Sequence, residues 1–216
     1  MRWEVAKRFD QSISPIRSEL KSIALVGGSE NDSEIKQFLN TDVSVTFLGV
    51  EPVKNFNFRY FDLNQKNVSE EQYDLVICSQ VLEHIWDLKV GLENLANLTK
   101  PNGHLWINCP FSNHSHGSPE YFSAGYAPAI ILNLSSLLKL EKILACQIGS
   151  WRQYFFTHTI QYWPTEDIYL RPWKIPISKY FISQIFWRIL AMAKNSEVTE
   201  NERSATETIV FLKKNE

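Results

Sequence analysis

Apolar and polar positions divide the chain into two alternating kinds of segment. Short runs rich in β-branched and aromatic residues occupy 22–26, 43–50, 57–61, 73–78, 104–109, 141–148 and 208–212, and read as strands. Between them, apolar residues recur at helical spacing over 3–20 (broken near Ser14-Pro15), from Ser29 to about Leu39, and over 81–98, 129–140 and 177–193. The run Tyr73-Asp-Leu-Val-Ile-Cys is the pattern of a strand buried on both faces of a parallel sheet, so the alternation predicts an α/β fold. Ligands of such sheets sit just beyond the carboxyl ends of the strands. Glu83 and His84, which follow this run, are therefore expected to handle substrate rather than to pack a core.

Composition narrows the picture. With 216 residues, 44% of them hydrophobic, the sequence predicts one domain over 1–216. It has a helical N-terminal segment (1–20) and an aromatic, helical insertion before the last strand (151–205). A formal charge of -2 argues against a nucleic-acid partner held through phosphates. Cys78, Cys109 and Cys146 fall in predicted strands without metal-ligand spacing, so no metal site is expected and a reducing interior fits. The first seven residues lack the apolar stretch of a signal peptide, and a cytoplasmic location is the expectation. Residues 177–193 are interrupted by Lys179, Gln184 and Arg188 and fall short of a transmembrane span. That segment is expected to pack in the core or to form a homodimer face, with a helix lying on a membrane surface as the alternative.

Candidate chemistry gathers at the strand ends. Gly27-Gly28 turns the chain after the first strand, and Ser29 with Asp32 comes close to a capping box. The segment is either a tight strand-to-helix turn or a loop whose backbone N–H groups face a bound anion. Glu51 follows the second strand, where an acid suits the hydroxyls of a ribose. Asp62 follows the third, where a lone acid more often serves a loop or cap, but two acids at successive strand tips strengthen the reading of a site. Residues 110–128 form a loop of the size of a lid or acceptor wall, carrying His114, His116, Tyr121 and Tyr126.

In this order, and with the turn Lys100-Pro-Asn-Gly103 at its expected separation from 73–84, these segments resemble the class I S-adenosylmethionine-dependent methyltransferases of the small-molecule, type-11-like group. The resemblance covers about residues 20–148 and resumes at 207–213. It implies a Rossmann-like three-layer sandwich around a mostly parallel seven-stranded sheet whose last strand is antiparallel, with S-adenosyl-L-methionine as cofactor. Carried over by position, Gly27, Gly28 and Ser29 would face the methionine part of the cofactor and Glu51 the ribose. Asp62 would read the adenine amino group with Leu63 beside the ring, and Ser79 and Gln80 would line the sulfonium. Glu83, Tyr121 and Tyr126 become candidate substrate-binding residues. The stretch His116-Gly-Ser-Pro-Glu-Tyr-Phe is similar to a sub-group associated with glycan pathways, so a small molecule or sugar is the implied substrate. A hydroxyl acceptor would need a base, for which His84, His114 and His116 are the candidates. His104 and His158 read as structural.

The sequence also departs from the family pattern. Leu25 stands where the family carries an acid, and Ser29 and Asn31 replace its second and third glycines. Glu30, Asp32 and Glu34 crowd the following helix, and Ser123 or Ala124 replaces an arginine. Two readings follow: a methyltransferase acting at oxygen or nitrogen, or a catalytically degenerate relative that binds or scaffolds. A nicotinamide-dependent oxidoreductase is disfavoured, because Gly27-Gly28-Ser29-Glu30 lacks the dinucleotide glycine pattern.

Overall fold

The computed structural model describes residues 2–54, 56–66, 71–113, 119–149 and 205–216. His114, His116, His158 and the segment 151–204, with its expected apolar helix at 177–193, lie outside the described residues.

Seven strands form one sheet: β1 (Ser22–Val26), β2 (Ser44–Gly49), β3 (Phe58–Tyr60), β4 (Tyr73–Ser79), β5 (Thr99–Pro110), β6 (Leu140–Ile148) and β7 (Glu207–Lys214). Their spatial order is β3-β2-β1-β4-β5-β7-β6. Strands β1 to β5 pair in parallel, and β7 runs antiparallel between β5 and β6. This is the expected doubly wound sheet with a reversed last strand. The order reverses direction between β1 and β4, which opens a crevice at the carboxyl ends of those two strands.

Alternation along the central strands explains why both faces are buried. Val76 and Cys78 join Ala24, Val26, Leu105 and Ile107 on one face, under α3 (Leu88–Leu98) and α4 (Pro128–Ser136). Leu75 and Ile77 join Ile23, Leu25 and Trp106 on the other, under α1 (Arg2–Ile13) and α2 (Ser33–Lys36). The leading helix packs as expected: Phe9 is fully buried and meets Trp106 edge-on, with ring centroids 5.1 Å apart. The predicted break at Ser14-Pro15 is present, with a short 3₁₀ turn at Arg17–Glu19 following it.

Two helix boundaries differ from the sequence expectation. The helix expected over 81–98 begins at Leu88, because the Asp87 carboxylate accepts from the backbone N–H groups of Lys89 (3.1 Å) and Val90 (3.2 Å) and caps it there. Leu82–His84 forms a separate 3₁₀ turn. The helix expected from Ser29 to Leu39 shrinks to Ser33–Lys36. Its polar lead-in bonds to itself instead: Ser29 N–H donates to Asp32 Oδ2 (2.9 Å) and Asn31 N–H to Ser29 Oγ (3.3 Å). Only half of the expected capping box forms, in a turn ahead of the helix.

Candidate functional site

The site is built where β1, β2 and β4 end. Gly27 leaves β1 with φ +69°, and its N–H donates to Leu48 O of β2 at 2.7 Å. A Cβ on Gly27 would lie 2.6 Å from Val81 Cγ2, so only glycine lets the turn pass this close to the segment after β4. The two walls of the crevice thereby meet at Gly27 and Val81.

The acids expected at the strand tips differ in their surroundings. Glu51, two residues past β2, is exposed. Asp62 is half-buried and serves its own turn, accepting from Asn64 N–H and from Gln65 Nε2, both at 2.9 Å. Leu63 is buried in the layer under α3, and Asn94 of that helix donates to Leu63 O (3.1 Å) and Gln65 O (2.7 Å). Helix α3 therefore fixes the height of the Asp62–Gln65 turn.

At the end of β4 a chain of side-chain hydrogen bonds crosses the sheet. Ser79 Oγ lies 2.9 Å from Glu34 Oε1 and 3.2 Å from Asn108 Oδ1. Gln80 Nε2 donates to Asn108 Oδ1 and to Glu207 Oε2, both at 2.9 Å. Asn108 Nδ2 donates to Glu207 Oε2 at 3.1 Å and to Thr208 O at 3.2 Å. Glu34 and Glu207 are each only 5% exposed. Burial drives the Glu207 carboxyl up to about 7; bonds from Asn108 and Gln80 oppose the rise, and the charge of Glu83 adds to it.

Glu83 corrects an expectation. It is fully buried, not open to the cleft, because the 3₁₀ turn at Leu82–His84 folds its side chain inward. Burial raises the thiols of Cys78 and Cys109, and the Glu83 charge raises them further. Its carbonyl accepts from Phe122 N–H (2.9 Å) and Ser123 N–H (3.2 Å), which docks the 119–127 loop onto the turn.

His84 stands at the rim of this turn, about one quarter exposed, with Nε2 4.0 Å from Glu83 Oε1. Its Nδ1 bonds the carbonyl oxygen of Glu120. A carbonyl only accepts, so Nδ1 carries a hydrogen and, in the neutral ring, Nε2 is the basic nitrogen. Tyr121 meets the His84 ring edge-on at 6.0 Å and donates its hydroxyl to Asn113 O at 3.0 Å. Tyr126 packs against the core, and burial raises its phenol. Among the described residues no group of His, Cys, Asp and Glu side chains is arranged to hold a metal ion, and no helix is long and apolar enough to cross a membrane.

Comparison with known proteins agrees with this geometry. A family model described as "Methyltransferase domain" matches residues 29–105, which run from just after the Gly27-Gly28 turn through β4 into β5. The ubiquinone biosynthesis O-methyltransferase of Hydrogenovibrio crunogenus is 27% identical over 114 residues, covering 53% of this chain and 45% of that protein. Over these residues the chain is similar to the methyltransferase domain family. In fold, the chain is similar to the N-methyltransferase NodS from Bradyrhizobium japonicum in complex with S-adenosyl-L-homocysteine. The TM-score is 0.55 at 11% identity, over 97% of this chain and 87% of that one. The [4+2]-cyclase SpnF is comparably similar, with a TM-score of 0.54 at 10% identity over 95% and 80% of the two chains. Likeness at that level shows the fold alone, and one fold hosts different chemistries. The chain spans less than half the length of the curated relative it matches.

The fold thus brings Gly27, Ser79 and Gln80 to one crevice and sets His84 beside Tyr121 at its rim. Three members of the site escaped sequence reasoning. Asn108 had a visible signal, a lone amide within the apolar run Leu-Trp-Ile-Asn-Cys. Glu34 stood out only as one of several acids. Glu207 gave none, because the pairing of β7 with β5 that delivers it is set by distant sequence.

Proposed function

We propose that the protein binds S-adenosylmethionine in the crevice between β1 and β4 and transfers its methyl group to oxygen or nitrogen of a small molecule or sugar. The cofactor supplies a methyl already activated on a sulfonium, so the chain's own tasks are to bind, to orient and to exclude water. The observation that carries this reading is the close approach of Gly27 to Val81 at the point where the strand order reverses, with exposed Glu51 past the neighbouring strand. A glycine backbone and a carboxylate there suit a nucleoside with its two ribose hydroxyls. His84 would take the proton of an acceptor hydroxyl at Nε2, its ring held by Glu120 O through Nδ1. Tyr121 and the loop behind it would wall the acceptor.

One observation favours the degenerate, noncatalytic alternative. Helix α2 is a single turn, and the Ser29 N–H that would meet the cofactor's carboxylate is taken by Asp32. The amino-acid end of the crevice is acidic, which suits an ammonium better than a carboxylate.

The two readings separate by calorimetric titration with S-adenosylmethionine and S-adenosylhomocysteine, followed by methyl incorporation into small-molecule and sugar pools. Binding that is weakened by Glu51→Ala, together with turnover, supports the enzyme. Absence of binding at millimolar cofactor supports the degenerate relative, and binding without turnover in any pool retires methyl transfer.

A further inference from the structure

Gln80 has a backbone that its side chain must justify. It is a non-glycine residue at φ +57°, placed directly after the last residue of β4. A left-handed residue with a Cβ is disfavoured unless its surroundings hold it there. Three bonds do so. The backbone N–H donates to Asn108 O at 2.8 Å, and the side-chain amide donates to Asn108 Oδ1 and Glu207 Oε2. Glu207 lies 127 residues downstream of Gln80, on the antiparallel strand β7. It reaches the end of β4 because Pro110 of β5 stands opposite it in the sheet, and its Oε2 also takes the second amide, from Asn108.

We infer that Glu207 is a positioning residue: with Asn108 it clamps the Gln80 side chain and so fixes the left-handed bend that carries Ser79 and Gln80 at the edge of the cofactor crevice. The inference rests on the donor-site reading above for what the bend is for, but not for how it is held. Buried and bonded to Gln80 and Asn108, Glu207 is 5% exposed, so it acts through those two amides rather than by touching a ligand. Ser79 Oγ lies within reach of both Asn108 Oδ1 and Glu34 Oε1 and can give its one proton to either, so it stands between the clamp and Glu34 near the glycine turn. A network of this kind is worth most when every member is satisfied, and losing its terminal acceptor leaves the buried Asn108 amide and the half-buried Gln80 amide short of a partner.

The test uses the full chain with Glu207→Leu, Glu207→Gln, Gln80→Gly and the double variant Gln80→Gly/Glu207→Leu, each kept well below its melting temperature. Titration calorimetry with S-adenosylhomocysteine should give a dissociation constant at least tenfold weaker for Glu207→Leu. Glu207→Gln, whose amide oxygen still accepts, should return to within about threefold of the unmodified protein, since a retained neutral acceptor costs little. The double variant should bind no worse than the weaker single one, because the two residues act through one bond. In the ligand-free protein, the side-chain amide NMR resonances of Gln80 should move to solvent-like positions and exchange rates in Glu207→Leu and stay native-like in Glu207→Gln. No binding to the unmodified protein defeats the donor-site reading and leaves the clamp to be decided by the Gln80 amide signals. Unchanged amide signals in Glu207→Leu, or unchanged affinity where the unmodified protein binds, overturn the clamp. If Glu207→Leu does not fold, Gln80→Ala, which keeps a Cβ at the left-handed position and removes the side-chain donor, serves in its place, and native-like affinity in it overturns the clamp.

Discussion

Replacing Glu207 by glutamine should change how stability depends on pH. In the folded protein this carboxyl titrates at about 7, against an ordinary value of 4.5, with burial as the main cause. Between those values the folded state keeps a proton that the unfolded chain has released. The unfolded state therefore binds fewer protons, and stability falls as pH rises through that window. A gap of roughly 2.5 pH units at about 1.36 kcal/mol each removes about 3 kcal/mol between pH 4.5 and 7. The groups that face Glu207 are Gln80 and Asn108, which favour its charged form, and Glu83, which opposes it; Glu207 in turn raises Cys109. The Glu207→Gln amide has the same shape, keeps an acceptor for both amides and does not titrate. Urea melts from pH 5 to 8 should show the unmodified protein losing stability across the range relative to the variant. Near pH 5 the two should agree within about 1 kcal/mol, and at pH 8 the variant should be more stable by up to about 3 kcal/mol. For a chain of this size that corresponds to roughly 6–12 °C in Tm. Parallel pH profiles would refute the reasoning, because they would mean that Glu207 does not change protonation on folding.

Three further outcomes follow from the packing and the site. Phe9→Ala should destabilise by about 3–5 kcal/mol in urea melts, since it empties the fully buried contact between α1 and Trp106. Asp87→Ala should cost about 1 kcal/mol and fray the start of α3, seen as faster amide exchange at Lys89 and Val90, which lose their cap. His84→Ala should lower kcat for a hydroxyl acceptor by roughly 10²-fold or more while leaving cofactor affinity within threefold. Equal turnover would remove the ring as a base.

The order of strands was legible because each one announces itself locally: a short apolar run, then a polar turn. The reversal of β7 was expected only from the family resemblance, since nothing in the run itself sets its direction. What the sequence hid was set by competition or by distance. Helix α3 begins at Leu88 because the Asp87 side chain wins the backbone donors that an unbroken apolar pattern seemed to assign to a longer helix. Helix α2 is short because Ser29, Asn31 and Asp32 bond among themselves. Glu83 looked like a site residue from its place after a strand, yet the 3₁₀ turn rotates it inward, and periodicity carries no information about one such turn. The places of Gly27, Ser79, Gln80 and His84 just past strand ends were readable, because each follows a short apolar run. Glu207 was not, because its role arises from sheet pairing across more than a hundred residues of separation.

The central claim is a nucleoside site at the carboxyl ends of β1, β2 and β4. It is tested most directly by titrating the protein with S-adenosylhomocysteine in a calorimeter, beside the Glu51→Ala variant. Saturable one-to-one binding that weakens at least tenfold in the variant is the expected result. Heats no larger than dilution, or an affinity indifferent to residue 51, would contradict it.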